Sequence, residues 1–131
     1  MVIETGATIF VVDDDEFVRD SLKTLIKAAG FSVEAFGSAE EFLVHVAHKS
    51  SGLLVLDVRM PGMSGIELQK RLAATGWIIP IIFITAHEDK QAYNAAMEKG
   101  AVAFLRKPFD DQELFDAIHL AFKQRTERPR V

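Results

Sequence analysis

The sequence predicts an α/β fold, an open, doubly wound parallel sheet of five strands interleaved with five helices. Three observations carry that expectation. Apolar, β-rich runs alternate five times with segments whose apolar residues recur at helical spacing. Three of the runs, "TIFVV", "GLLVLD" and "PIIFIT", are almost continuously apolar, as central parallel strands covered on both faces must be. Glycines, prolines and capping residues stand at the junctions between runs.

The elements follow in order. "TIFVV" (8–12) is the first strand, and Phe17, Val18, Leu22, Leu25 and Ile26 fall on one face of the helix after it, which Gly30 ends. "SVEAF" (32–36) precedes a helix that Ser38 caps, with Glu41 three residues on completing a capping box. "GLLVLD" (52–57) is the third strand. Pro61, Gly62 and Gly65 then shape a turn into the helix "IELQKRLAAT" (66–75). Trp77 packs in the loop before "PIIFIT" (80–85). In "DKQAYNAAMEKG" (89–100), Asp89 is the cap and Gly100 the stop. "AVAFL" (101–105) leads through Lys107 and Pro108 into the last helix, "DDQELFDAIHLAFKQR" (110–125).

Composition narrows the function. The 131 residues suit one domain, expected over 1–124, with 125–131 a tail or the start of a linker to an effector domain outside this chain. A net charge of -4 argues against direct nucleic-acid binding, which needs a basic face. The chain has no cysteine, which excludes disulfides, thiolate metal sites and cysteine nucleophiles. No apolar run approaches the roughly 18 residues of a membrane span, and "MVIETGATIF" carries Glu4 without a basic leader. A cytoplasmic location is the expectation.

The strand ends hold the chemistry, because ligands of open α/β sheets bind beyond the C-terminal ends of the strands. The first strand runs into Asp13, Asp14 and Asp15, the third ends in Asp57, the fourth in Thr85, and Lys107 follows the fifth. Two unit charges about 4 Å apart cost roughly 4 kcal/mol at an effective dielectric near 20, so carboxylates gathered at one edge oppose folding unless a cation relieves them. Oxygen donors without histidine or cysteine suit magnesium and disfavour zinc. Thr85 and Lys107 add a hydroxyl donor and a positive charge, which phosphoryl transfer needs. Asp57, at the end of a buried central strand, is the better nucleophile candidate, giving an aspartyl phosphate. Asp15 and Glu16 read as cap and first-turn residues of the helix they open. His45, His48 and His119 read as partly exposed helix residues.

With "VVDDD" (11–15), "LLVLDVRMPGMSG" (53–65), "FITAH" (83–87) and "FLRKPF" (104–109) in order, the chain resembles the receiver domain of a bacterial two-component response regulator, most closely FixJ-like receivers. The resemblance spans about Thr8 to Phe122 and implies a flavodoxin-like strand order of 2-1-3-4-5. It implies that Asp57 accepts a phosphoryl group from a sensor histidine kinase. Asp14, Asp57 and the backbone carbonyl of Arg59 would ligate magnesium, with manganese as a substitute, and Asp13 would act through a metal-bound water. Thr85, the backbone amide of Ala86, and Lys107 would hold phosphoryl oxygens. The Lys107-Pro108 bond would be cis, Phe104 would be the aromatic switch residue, and Arg59 and His87 would tune the lifetime of the phosphorylated form. The switched face, the fourth helix, fifth strand and fifth helix, would mediate homodimerisation or effector contact through Ala92, Tyr93, Ala96, Phe115 and His119.

Such a protein is a signalling switch whose only chemistry is self-phosphotransfer and autodephosphorylation, controlling transcription through an effector domain or partner. A stand-alone receiver and a phosphorylation-independent docking module are the alternatives. A dinucleotide-binding enzyme fails for want of glycine after the first strand. A haloacid-dehalogenase-like phosphatase fails because Arg59 stands where its general acid belongs.

Overall fold

The computed structural model describes residues 7–46 and 51–127. Strands β1 (Thr8–Val12), β2 (Ser32–Phe36), β3 (Gly52–Asp57), β4 (Ile81–Thr85) and β5 (Ala103–Arg106) alternate with helices α1 (Glu16–Ala28), α2 (Ala39–His45), α3 (Gly65–Ala74), α4 (Lys90–Glu98) and α5 (Asp111–Glu127). All strand pairs are parallel, in the order β2-β1-β3-β4-β5. This is the expected flavodoxin-like sheet, and its order reverses between β1 and β3. α5 continues past residue 124, the expected domain boundary, to Glu127; His48 and residues 128–131 lie outside the described residues.

Alternation along the strands builds two cores. Phe10, Val12, Leu54, Leu56 and Phe83 face one side, where Phe42 of α2, Leu68 and Leu72 of α3 and Ala96 of α4 meet them. Ile9, Val11, Leu53, Val55 and Ile84 face the other, against Leu22 and Ile26 of α1 and Leu114 and Ile118 of α5. Every residue of β3 and β4 is buried, which explains their unbroken apolar composition. Burial of each large aliphatic side chain stabilises by roughly 1.5–3 kcal/mol. Trp77 stacks on Phe42, centroids 5.9 Å apart and planes within 6°, as a packing residue of the first core.

Local chemistry sets the helix starts. Asp15 caps α1 by accepting from Phe17 N and Val18 N. Asp89 caps α4 through Ala92 N. The capping box expected at Ser38 forms only its forward half, Glu41 N to Ser38 Oγ, because the Glu41 carboxylate lies beside Gly37 on the side of the Arg19 guanidinium. The complete box is at Ser64 and Glu67, one turn before α3's first buried leucine.

Two expectations about exposure are corrected. Phe17 does not join the buried stripe of α1: it is 80 % exposed, while Leu22 and Ile26 are buried. It lies one residue off the 18-22-26 line, about 100° around the helix, with Asp20, Ser21 and Thr24 on its own side. Ala92 and Ala96 are buried rather than on the surface of α4. Their small side chains let the helix approach the sheet and α3 closely enough for buried Gln69 to donate to Ala96 O. Tyr93 and His119 are exposed as expected, and Phe115 is half-buried. Among the described residues no helix is long and apolar enough to cross a membrane.

Candidate functional site

β1 and β3 are neighbours in the sheet, so their C-terminal ends bring Asp13, Asp14 and Asp57 together. One carboxylate oxygen from each lies within 4.8 Å of the others. Asp13 and Asp57 are buried and Asp14 is exposed. Asp13 is fastened on every side: Oδ1 accepts from Asp15 N at 2.9 Å, Oδ2 accepts from Lys107 Nζ at 3.0 Å, and its carbonyl accepts from Arg19 Nη1 at 2.8 Å. Asp57 has looser company, with Lys107 Nζ 4.0 Å from Oδ1.

Backbone contacts hold Asp57 in place. Gly65 N donates to Val58 O at 3.0 Å, and a Cβ at Gly65 would collide with the Asp57 carbonyl oxygen, so only glycine lets α3 start this close to the strand end. From α2, Glu40 Oε2 accepts from Met63 N at 3.0 Å and steadies the same turn. The Lys107 amide donates to Thr85 O at 2.7 Å, which sets the lysine against the end of β4. The Lys107-Pro108 peptide is cis.

Electrostatics separate the acids. Burial, then the negative charge of Asp13, pushes the Asp57 carboxyl from 3.8 up to about 7, with Lys107 opposing and Asp14 adding to the rise. A hard cation among the three carboxylates would reverse that balance. The three carboxylates form an all-oxygen donor set that could hold a hard metal ion, and both carboxylate oxygens of Asp13 are already engaged within the protein.

The remaining candidates surround this pocket. Thr85 is buried, and its Oγ1 accepts from His87 N and donates to His87 O, both at 3.2 Å. Ala86 and His87 are exposed. Phe104 is half-buried, 6.0 Å from the Phe83 ring and edge-on to Tyr93 at 5.4 Å. The exposed Arg59 places Nη2 3.0 Å from Asp89 Oδ2. The Asp89 carboxyl is held below its ordinary value by the Ala92 amide and by Arg59.

Three contributors escaped the sequence reading. Glu40 carries no local signal, since it acts on a residue 23 positions away. Arg19 was legible only as a cation one turn into the helix after Asp13. Phe17 with Val18, Ser21, Leu25, Pro108 and Phe109 lines an apolar recess of about 400 Å³ beside Lys107; an aromatic on α1's polar stripe was its signal.

The profile of the response regulator receiver domain matches residues 9–119. The response regulator protein TodT of Pseudomonas putida is 44% identical over 132 residues, covering 98% of this chain and 58% of its own length. The chain thus spans a little over half of that relative. The structure of response regulator StyR matches with a TM-score of 0.88 and 52% identity, over 95% of this chain and 63% of that one. The crystal structure of FixJ-N matches at 0.84 and 39% identity, over 98% of this chain and 100% of that one.

Proposed function

The chain belongs to the response regulator receiver family, and from that premise we propose that Asp57 accepts a phosphoryl group from a sensor histidine kinase. The observation that carries the reading is a buried carboxylate raised to about 7, ringed by Asp13, Asp14 and Lys107 at the end of a central strand. In the transfer an Asp57 oxygen bonds to phosphorus, the phosphorus–nitrogen bond to the kinase histidine breaks, and the imidazole keeps the electron pair and takes a proton. Asp14, Asp57 and the Arg59 carbonyl would hold magnesium, with Asp13 acting through water. Bound there, the cation supplies charge neutralisation for the carboxylates and the phosphoryl oxygens.

Lys107 pairs with a phosphoryl oxygen, and the Ala86 amide and Thr85 hydroxyl take others. For that Thr85 must leave His87, and the space it vacates lets Phe104 turn inward from Tyr93. The face built by α4, β5 and α5, with Tyr93, Phe115 and His119, then changes shape and serves a homodimer or an effector contact, leading to control of transcription. Hydrolysis of the aspartyl phosphate, tuned by Arg59 and His87, resets the switch. The apolar recess at Phe17 borders Lys107, and we propose it as the docking surface for the kinase.

The test is mass spectrometry after incubation with acetyl phosphate and magnesium. One phosphoryl group should add to the wild type and none to Asp57→Asn. An unmodified wild type with both acetyl phosphate and a kinase donor rejects the phosphoacceptor reading and leaves a docking module.

A further inference from the structure

The Asp89 carboxylate serves two masters. Oδ1 accepts from Ala92 N at 2.9 Å and caps α4, while Oδ2 lies 3.0 Å from Arg59 Nη2. Arg59 belongs to the turn two residues beyond Asp57, so the pair ties the acceptor turn to the first turn of α4 across 30 residues of sequence. The adjacent Glu88 meets Arg106, at the end of β5, at 3.5 Å, but both side chains there are mostly exposed and the contact adds little. Arg59 is as exposed as Arg106, at 59% against 61%, but its partner Asp89 is only 22% exposed where Glu88 is 70% exposed, and the 3.0 Å contact is shorter, which favours the Arg59 pair.

We propose that Arg59 and Asp89 form a charge-operated latch, in which a phosphoryl group on Asp57 draws the Arg59 guanidinium away from Asp89 and so unfastens the N-terminus of α4. This rests on the reading of Asp57 as phosphoacceptor. A phosphoryl group replaces the Asp57 carboxylate charge with about -1.5 to -2 charges, partly offset by magnesium and Lys107, and brings three oxygens whose lone pairs exceed the donors already assigned to them. The planar guanidinium fork suits those oxygens. The cap survives the exchange, because Oδ1 and Oδ2 have separate partners.

One movement then has two outcomes. α4 loses its tether to the acceptor turn, and Arg59 covers the acyl phosphate. Hydrolysis requires a water oxygen to bond to phosphorus while the phosphorus–oxygen bond to Asp57 breaks, regenerating the carboxylate and releasing inorganic phosphate and a proton. A guanidinium over the phosphoryl group obstructs that water. Asp89 is in this scheme a positioning residue that acts through Arg59, and the route is separate from the one through Thr85 and Phe104.

Beryllofluoride with magnesium, a mimic of the phosphoryl group, is the probe, read by NMR on the α4 amides. Asp89→Asn keeps an equally good cap and removes the charge. It should lower the half-saturating beryllofluoride concentration about two- to fivefold, the range an ion pair of this kind supports. It should also shift the α4 amides of the unliganded protein toward their bound positions. In the Arg59→Ala background the same substitution should leave both quantities unchanged. An equal effect of Asp89→Asn in both backgrounds, or none in either, overturns the latch and leaves the phosphoacceptor reading intact. Failure of the wild type to bind beryllofluoride overturns that reading and the latch with it.

Discussion

In the absence of a bound cation, stability should fall as pH rises, in a window set by Asp57. Its folded-state carboxyl is raised from 3.8 to about 7. Between those values the unfolded chain has given up the proton and the folded chain retains it, so each rise in pH favours unfolding. The loss begins near 4 and is complete just above 7. The interval is a little over three pH units, and at about 1.4 kcal/mol per unit its ceiling is about 4 kcal/mol. Solvent reaches this pocket's rim through exposed Asp14, which screens the charges and brings the expectation to about 2 kcal/mol. For a chain of this length that is a decrease of about 7 °C in melting temperature. The assay is thermal unfolding from about pH 4 to about pH 8 in EDTA, beside parallel melts in millimolar magnesium and melts of Asp57→Asn. Magnesium should flatten the slope by favouring the charged carboxylate, and Asp57→Asn in EDTA should lack this part of it. A metal-free wild type whose pH profile matches that of Asp57→Asn would refute the reasoning.

Other substitutions probe the same edge. Lys107→Ala strips fully buried Asp13 of its 3.0 Å partner and should destabilise the metal-free protein by about 2–3 kcal/mol in urea unfolding, with magnesium restoring part of the loss. Gly65→Ala forces a Cβ against the Asp57 carbonyl and should cost more than about 3 kcal/mol, whereas Gly100→Ala, with open space but φ 95°, should cost about 1 kcal/mol. Equal losses at the two glycines would remove the steric argument. Phe17→Ala should change stability by less than about 0.5 kcal/mol. It should leave acetyl phosphate labelling intact and slow transfer from the kinase about tenfold; unaltered transfer would show that the recess does not dock the kinase.

The strands were legible because a fully covered parallel strand admits almost nothing but apolar residues, and β3 and β4 show that limit. The positions of Asp13, Asp57, Thr85 and Lys107 were legible for the same reason: a polar residue ending such a run must lie at the sheet's edge. Helix exposure was harder to read. Phe17 and Val18 are both apolar and adjacent, and periodicity alone could not tell which one turns inward. Ala92 and Ala96 suit a surface or a close contact equally, and only the approach of α4 to α3 decided it. Glu40 on Met63 and Arg59 on Asp89 join residues 23 and 30 apart, distances over which no local pattern carries a signal.

The stack of Trp77 on Phe42 provides an optical instrument. Trp77 is the chain's one tryptophan, and it sits in the same core layer as Phe83, Ala92, Ala96 and Phe104. Its emission therefore reports from the side of the sheet that carries α4, opposite the α1 and α5 layer. Unlabelled protein excited in the near ultraviolet can follow motion in that half of the molecule in real time, with Phe42→Leu as the variant that retunes the signal by removing the ring beneath the indole.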